Sequence, residues 1–488
     1  MGELRTAAGI RASVGLGACL WLCACVGPNF HRPAPPPVDR YTAEALPPET
    51  VSAKGPGGAA QRFLAGGEVP RDWWTRFGSE ELDALVDEAL RANPSVHAAA
   101  AALRQAQENT ASQRGSYYPT VQAGFDATRQ RNAVGVLAPS LASGTALYNL
   151  YTPQVTVSYV PDVFGANRRQ VESLAALAEA SQYQLDATYL TLTANVVTTA
   201  IQEAGLRAEI SATERVIALE RDSLAVLRRE LELGAVAEGD VYAQEAALAQ
   251  LETTLPPLRR QLQTARDALA VLTGRLPADY TPLRFELDQL VLPPDLPLGI
   301  PSQLVERRPD VRAAEAQLHA ATAQVGVAIA SLLPQVTITG DVGSSATAMG
   351  DLFKAGTGFW TVGASLTQTL FEGGTLIHRK RAADAALDQA GALYRSAVLT
   401  AFQNVADALH ALATDADTLA AASRAEEAAQ KSLDVVRHQL ELGSVSYLAL
   451  INAEQAYQQA LISLTQARAN RYADTAALFQ ALGGSIAH

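Results

Sequence analysis

The chain repeats itself, and this limits its possible folds more than any other feature. Asn93-Pro94-Ser95-Val96 corresponds to Arg308-Pro309-Asp310-Val311, and Tyr118-Pro119-Thr120-Val121 to Leu333-Pro334-Gln335-Val336, at one shared offset. Leu231-Glu232-Leu233-Gly234 corresponds to Leu440-Glu441-Leu442-Gly443, and Leu272-Thr273-Gly274 to Ala481-Leu482-Gly483, at a second, slightly smaller offset. Four correspondences in order mark an internal duplication with a few residues lost from the middle of the second copy. The copies span 73–274 and 302–488, joined by a proline-rich linker at 275–301.

Each copy reads as helix, strand, loop, strand, long helix, turn and returning helix. The first helix covers roughly 79–115 and ends before Pro119. Strands are expected at about 117–131 and 150–163, and at about 332–345 and 358–371 in the second copy. Within them Val121, Ala123 and Phe125 alternate with Gln122, Gly124 and Asp126, and Trp360, Val362, Ala364 and Leu366 with Thr361, Gly363, Ser365 and Thr367. This period of two gives a sheet with one apolar and one polar face. Such a face meets a second sheet in a sandwich, or lipid in an outer-membrane barrel.

The long helices carry heptads. Leu206, Ile210, Thr213, Ile217, Glu220, Leu224, Leu227 and Leu231 alternate spacings of four and three, as do Val398, Phe402, Val405, Leu409, Leu412, Ala416 and Leu419. Leu248, Leu251, Leu255, Leu258, Leu262, Ala265, Leu269 and Leu272 mark the returning helix, which Pro256-Pro257 should kink. A mean spacing near 3.5 implies left-handed coiled-coil packing. Runs from Arg168 to Leu233 and from Thr375 to Leu442 would each be about 100 Å long at ~1.5 Å per residue.

The compartment is read from the N-terminus. The three cysteines are Cys19, Cys23 and Cys25. Residues 1–24, with Arg5, Arg11 and an apolar stretch from Ala12 to Leu22, form a secretory signal. Leu22-Cys23-Ala24-Cys25 resembles a bacterial lipobox, which makes Cys25 a diacylated first residue and a membrane anchor. Val26 follows it, not the aspartate of inner-membrane retention. Residues 25–72, rich in proline and glycine, are expected to run extended along the surface. No later segment is long and apolar enough for a transmembrane helix, so a bilayer-spanning part must be a β-barrel.

Four strands per chain cannot close a barrel, and an open edge in lipid leaves backbone groups unsatisfied. Copies must therefore combine: three give twelve strands, though two or four would also close a sheet. The net charge of −12 argues against nucleic acid. His97, His319, His378, His410 and His438 fall on predicted helices without His or Cys at ligand spacing. There is no phosphate loop and no nucleophile elbow. No enzyme activity, metal or cofactor is expected.

The chain resembles the TolC/OprM-like outer-membrane efflux proteins, in their lipoprotein (NodT/OprM-type) branch, over essentially its whole length. The resemblance is carried by Cys25-Val26-Gly27-Pro28-Asn29-Phe30 with Pro33, by Asp72-Trp73-Trp74 with Phe77, and by Leu82 through Asn93-Pro94. Glu306-Arg307-Arg308-Pro309-Asp310-Val311 and Phe371-Glu372-Gly373-Gly374 complete it.

The resemblance implies a mainly α-helical protein with a β-barrel. Four strands per protomer would enter a trimeric 12-stranded outer-membrane barrel set on a long α-helical coiled-coil periplasmic tunnel. It implies a homotrimer lipidated at Cys25 with palmitate-type chains, a periplasmic adaptor, and an inner-membrane transporter of the RND type, the duct itself passively exporting small molecules such as drugs. A duct for protein secretion, or a periplasmic coiled-coil scaffold lipoprotein, remains the alternative.

It further implies that the closed tip lies at the turns Gly234 to Asp240 and Gly443 to Asn452. Asp240, Leu448 and Asn452 are thereby gate candidates, and Gly234 and Gly443 turn glycines. Ala449 and Asn452 stand where family members often carry aspartates, which weakens an acidic ring. Asp240 equally suits a helix N-cap, and Leu448 equally suits coiled-coil packing. Arg228, Arg229 and Arg437 are candidate adaptor contacts that also suit a solvated helix face.

Overall fold

A computed structural model describes residues 26–131 and 147–483. The expected signal peptide and Cys25 lie outside the described residues. Chain contacts separate two compact units, each drawn from both copies: 26–32, 103–131, 147–180 and 315–393 form the smaller, and 33–102, 181–314 and 394–483 the larger.

The smaller unit holds a four-stranded antiparallel sheet. Its strands are β2 (Thr120–Arg131), β3 (Leu147–Tyr159), β5 (Gln335–Ser344) and β6 (Gly358–Thr367), in the order β2-β3-β5-β6. The two offsets of the duplication change over inside these hairpins, β5–β6 being shorter than β2–β3. Gly343 lies within β5, opposite Gln154 and Phe359. There a Cβ would sit 2.6 Å from the Pro153 carbonyl oxygen and 2.9 Å from the Phe359 ring.

The N-terminal segment packs against helices of the same unit. Arg169 donates to Asn29 Oδ1 at 2.6 Å and pairs with Glu172 at 2.8 Å. Phe30 stacks on His319 with ring centroids 4.4 Å apart, and Arg32 pairs with Glu315 at 2.7 Å.

The helices begin with α1 (Glu80–Ala92) and α2 (Pro94–Arg114), two elements where one helix over 79–115 is expected. Ser79 caps α1 by accepting from the Leu82 amide at 3.3 Å. Pro94 disfavours helical backbone at Asn93, whose ψ is 124°, and a new helix starts. Asn93 Oδ1 accepts from the Ser95 amide at 2.8 Å, while its Nδ2 donates to the Leu272 carbonyl at 2.8 Å.

The long α3 (Ala166–Glu232) is followed by α4 (Glu238–Glu252) and α5 (Leu255–Leu272). The return path is thus two helices, not one kinked helix. Pro256 and Pro257 sit in the first turn of α5, where a missing amide hydrogen leaves no bond unmade. The second copy has α6 (Pro301–Arg307), α7 (Pro309–Ala330), α8 (Thr375–Glu441) and an unbroken return, α9 (Tyr447–Ala481). Helices α3 and α8 have 67 residues each.

Heptad positions form the core of the larger unit. Leu206, Ile210, Ile217, Leu224 and Leu227 of α3 cluster with Leu248 and Leu251 of α4 and Leu255, Leu262 and Ala265 of α5. Each copy also closes on itself. Asn93 caps the end of α5 at Leu272; at the corresponding place Arg308 donates to the Ala481 carbonyl at 2.7 Å and pairs with Asp310 at 2.6 Å. The glycines that follow these helix ends lie close to the same junctions: a Cβ on Gly274 would sit 2.5 Å from the Ala92 carbonyl oxygen, and one on Gly483 2.9 Å from Arg308 Cγ.

Two features depart from the expected extended surface segment and linker. β1 (Arg62–Ala65) pairs in parallel with β4 (Asp295–Leu298), joining 25–72 to 275–301. Thr42, Thr50 and Gln61 are buried. Gln61 donates to the Pro293 carbonyl at 3.1 Å and Thr475 Oγ1 at 3.2 Å, and Arg471 donates to Thr50 Oγ1 at 2.9 Å. These hydrogen bonds tie the segment into the core, although Gln61 Oε1 is buried without a partner.

Candidate channel wall and helical turns

The sheet register sorts the strand residues by face. Val121, Ala123 and Phe125 lie opposite Val157, Val155 and Pro153; Val155 lies opposite Val342, and Val342 opposite Trp360. Ile338 opposite Ala364 and Val336 opposite Leu366 continue this apolar face. The other face pairs Gln122 with Thr156, Thr156 with Asp341, and Asp341 with Thr361. Thr156 donates to Asp341 there at 2.6 Å. Because side chains alternate, a slip of one residue anywhere would mix the faces.

Among the described residues nothing covers the apolar face. Trp360 is 76% exposed, Val362 72% and Leu366 70%, and Phe125 stacks on Tyr151 with centroids 6.5 Å apart. In water so large an apolar surface would be a liability. With strands of 12, 13, 10 and 10 residues, long enough to cross a hydrocarbon layer of ~30 Å when tilted, it suits lipid. Among the described residues the outer edges of β2 and β6 carry no strand partner. No helix among them is long and apolar enough to cross a membrane.

The two turns share one backbone design. Gly234 has φ of 71°; its amide donates to the Leu231 carbonyl at 2.9 Å and that of Ala235 to the Glu230 carbonyl at 2.9 Å. Gly443 has φ of 69°, with Gly443 to Leu440 at 2.9 Å and Ser444 to Gln439 at 3.0 Å. These paired bonds close a helix end through a left-handed residue. A Cβ at either glycine would meet open space, so only backbone conformation demands glycine. Gly234→Ala and Gly443→Ala should each destabilise by ~1–2 kcal/mol, while Gly239→Ala, in α4 with open space around it, should not; denaturant midpoints of the three variants check this.

The gate candidates fall just beyond these turns. Asp240 is the third residue of α4, not its N-cap, and its Oδ2 accepts from the Ala237 amide at 3.2 Å. Leu448 and Asn452, one turn apart on α9, are exposed. Tyr447, at the start of α9, donates to Glu230 at the end of α3 at 2.7 Å. Burial first, and then this bond, push the Tyr447 hydroxyl above its ordinary range. Arg228, Arg229 and Arg437 are ion-paired within the chain, to Glu245 at 2.6 Å, Glu232 at 2.6 Å and Glu454 at 3.2 Å.

Tyr447 and Glu454 are the residues that sequence reasoning passes over. Glu220 in a leucine heptad was the visible signal that a polar partner must exist. Which residue supplies it depends on how the two hairpins pack, and no local pattern records that.

The family model for outer membrane efflux proteins matches residues 85–275 and 300–484. The pyoverdine export outer membrane protein OpmQ of Pseudomonas putida is 28% identical over 84% of this chain and 87% of its own length. The outer membrane protein OprJ of Pseudomonas aeruginosa is 28% identical over 96% of this chain and 93% of its own. The solved outer-membrane channel OprN superposes with a TM-score of 0.84 at 27% identity, over 94% of this chain and 99% of that one. With its two-faced sheet, its duplicated helical hairpins and these relatives, the chain belongs to the outer membrane efflux protein family and is an outer-membrane efflux channel, not an enzyme.

Proposed function

We propose that three copies join edge to edge, β2 of one beside β6 of the next, into a twelve-stranded barrel anchored further by acyl chains on Cys25. The helical hairpins extend it as a periplasmic tunnel that meets an adaptor and an inner-membrane transporter of the RND type. Small toxic molecules delivered by that pump leave passively through the polar interior. The observation that carries this reading is the register, which gathers the apolar strand residues on one uncovered face and the polar ones on the other. Exposed Leu233, Leu442, Tyr242 and Leu448 around the turns support docking of a partner at that end.

Asp240, Leu448 and Asn452 narrow the resting tip. Asp240→Ala combined with Leu448→Ala should raise single-channel conductance and sensitise cells to vancomycin. Unchanged values of both would remove Asp240 and Leu448 from the gate. Deleting the gene should raise intracellular accumulation of a fluorescent pump substrate; unaltered accumulation would speak for another cargo.

A further inference from the structure

The two hairpins of the larger unit, α3 with α4 and α8 with α9, meet at a polar layer that conduction does not require. Glu220 stands in the α3 heptad between Ile217 and Leu224 and is only 4% exposed. Gln244 of α4, 1% exposed, donates its amide to Glu220 and leaves its Oε1 without a partner. Glu454 of α9, 3% exposed, lies within hydrogen-bonding reach of Glu220. It accepts from Arg437 of α8 at 3.2 Å through Oε1, while its Oε2 is buried without a partner. Four helices thus contribute two carboxyls, one amide and one guanidinium to a single layer.

With both carboxyls ionised, two buried negative charges would face one cation in an apolar seam, which desolvation and repulsion both oppose. With one proton present, one carboxyl donates to the other and the layer is neutral. We propose that Glu220 and Glu454 form a proton-binding site, one proton shared between them, that latches the two hairpins together. The latch rests on the channel reading only for its consequence at the tip. Burial first, then the charge of Glu454 and the hydrogen bond to it, push Glu220 up to about 8 against the opposing pull of Gln244 and Arg437.

Arg437 is the charged group facing the pair from α8, and Tyr457 of α9, itself raised by burial, lies in the field of that arginine. From α4 the group that meets Glu220 is the uncharged Gln244. The flanking pairs Arg221–Glu252 and Arg228–Glu245 close on themselves at the exposed surface. Between the ordinary 4.5 and about 8, the folded chain holds a proton that the unfolded chain has lost. The layer therefore stabilises fully below that window and loses its contribution as pH rises through it. Acid closes the latch and alkali loosens it.

Infrared difference titration of the full-length protein in detergent, from about pH 5 to about pH 10, tests the site. Wild type should show a protonated-carboxyl band that disappears near pH 8, and Glu220→Gln should lack it. Asp415, raised to about 7 by burial and Asp474, adds its own band, which subtraction of the variant removes. Spin labels at Leu233→Cys and Leu442→Cys, with labelled copies diluted by unlabelled ones, report the hairpin ends. Their distance should lengthen or broaden above pH 8 in wild type and stay constant in Glu220→Gln. Should that variant misfold, Glu454→Gln carries the test by shifting the titration down by at least one pH unit.

A band unchanged by both substitutions, or a wild-type distance constant across the range, overturns the proposal. Neither readout depends on ionic current, so its failure is distinct from failure of the channel reading.

Discussion

Val342→Arg and Val362→Arg are expected to abolish recovery of the protein in the outer membrane. Both valines lie on the uncovered apolar face, at 58% and 72% exposure. A guanidinium placed mid-bilayer on a barrel costs ~2–4 kcal/mol per site, enough to stall insertion of a chain whose sheet must also find partners. The same charge on a water-exposed face would cost almost nothing, because exposed substitutions shift stability by ~0.5 kcal/mol or less. Thr339→Arg, on the polar face of the same strand and opposite Ser158 and Gly363, serves as the control. Separation of inner and outer membranes, with gels run before and after heating, distinguishes the outcomes. Equal recovery of Val342→Arg and Thr339→Arg would mean that the apolar face does not meet lipid.

Trp73→Ala should bring the largest loss of stability in the helical part. Trp73 is 1% exposed, stacked on Phe479 at 5.4 Å and edge-on to Trp74 at 6.0 Å and Phe77 at 6.4 Å. Truncation leaves a cavity bordered by aromatic rings from residues 74–77 and α9, at a cost of ~3–5 kcal/mol. The ring also holds the end of α9 beside Tyr472, which packs against Phe77 and donates to the Leu290 carbonyl at 2.8 Å. A shift in the denaturant midpoint equivalent to less than ~1 kcal/mol would show that the site collapses around the smaller side chain.

How legible each part was depends on how local its cause is. Heptads and strand alternation are periodic, so α3, α8 and the two faces of the sheet could be read directly. Gly234 and Gly443 were pointed to by the family resemblance and not by a local pattern; each ends its helix in a left-handed conformation. The breaks were harder. Asn93-Pro94 was visible as a repeated motif, but its role, capping the α5 end at Leu272 as Arg308 caps α9 at Ala481, appears only when distant segments meet. Pro256-Pro257 could mean a kink or a new start, and the chain makes a new start.

The β1–β4 pair was hidden by composition. Arg62–Ala65 and Asp295–Leu298 sit in stretches whose proline and glycine argue against sheet, and parallel pairing across so long a separation leaves no local trace. Asp240 illustrates a different gap. Aspartate near a helix start satisfies amides from several positions, and only geometry shows that it reaches back from the first turn to Ala237.

The most direct measurement is single-channel conductance of the purified, detergent-extracted protein in a planar bilayer, after its oligomeric mass has been determined. The account predicts a mass of three chains and small, discrete openings that the Asp240→Ala, Leu448→Ala variant enlarges. A monomer that inserts no conductance would contradict it, and would make the uncovered sheet face a surface for something other than lipid.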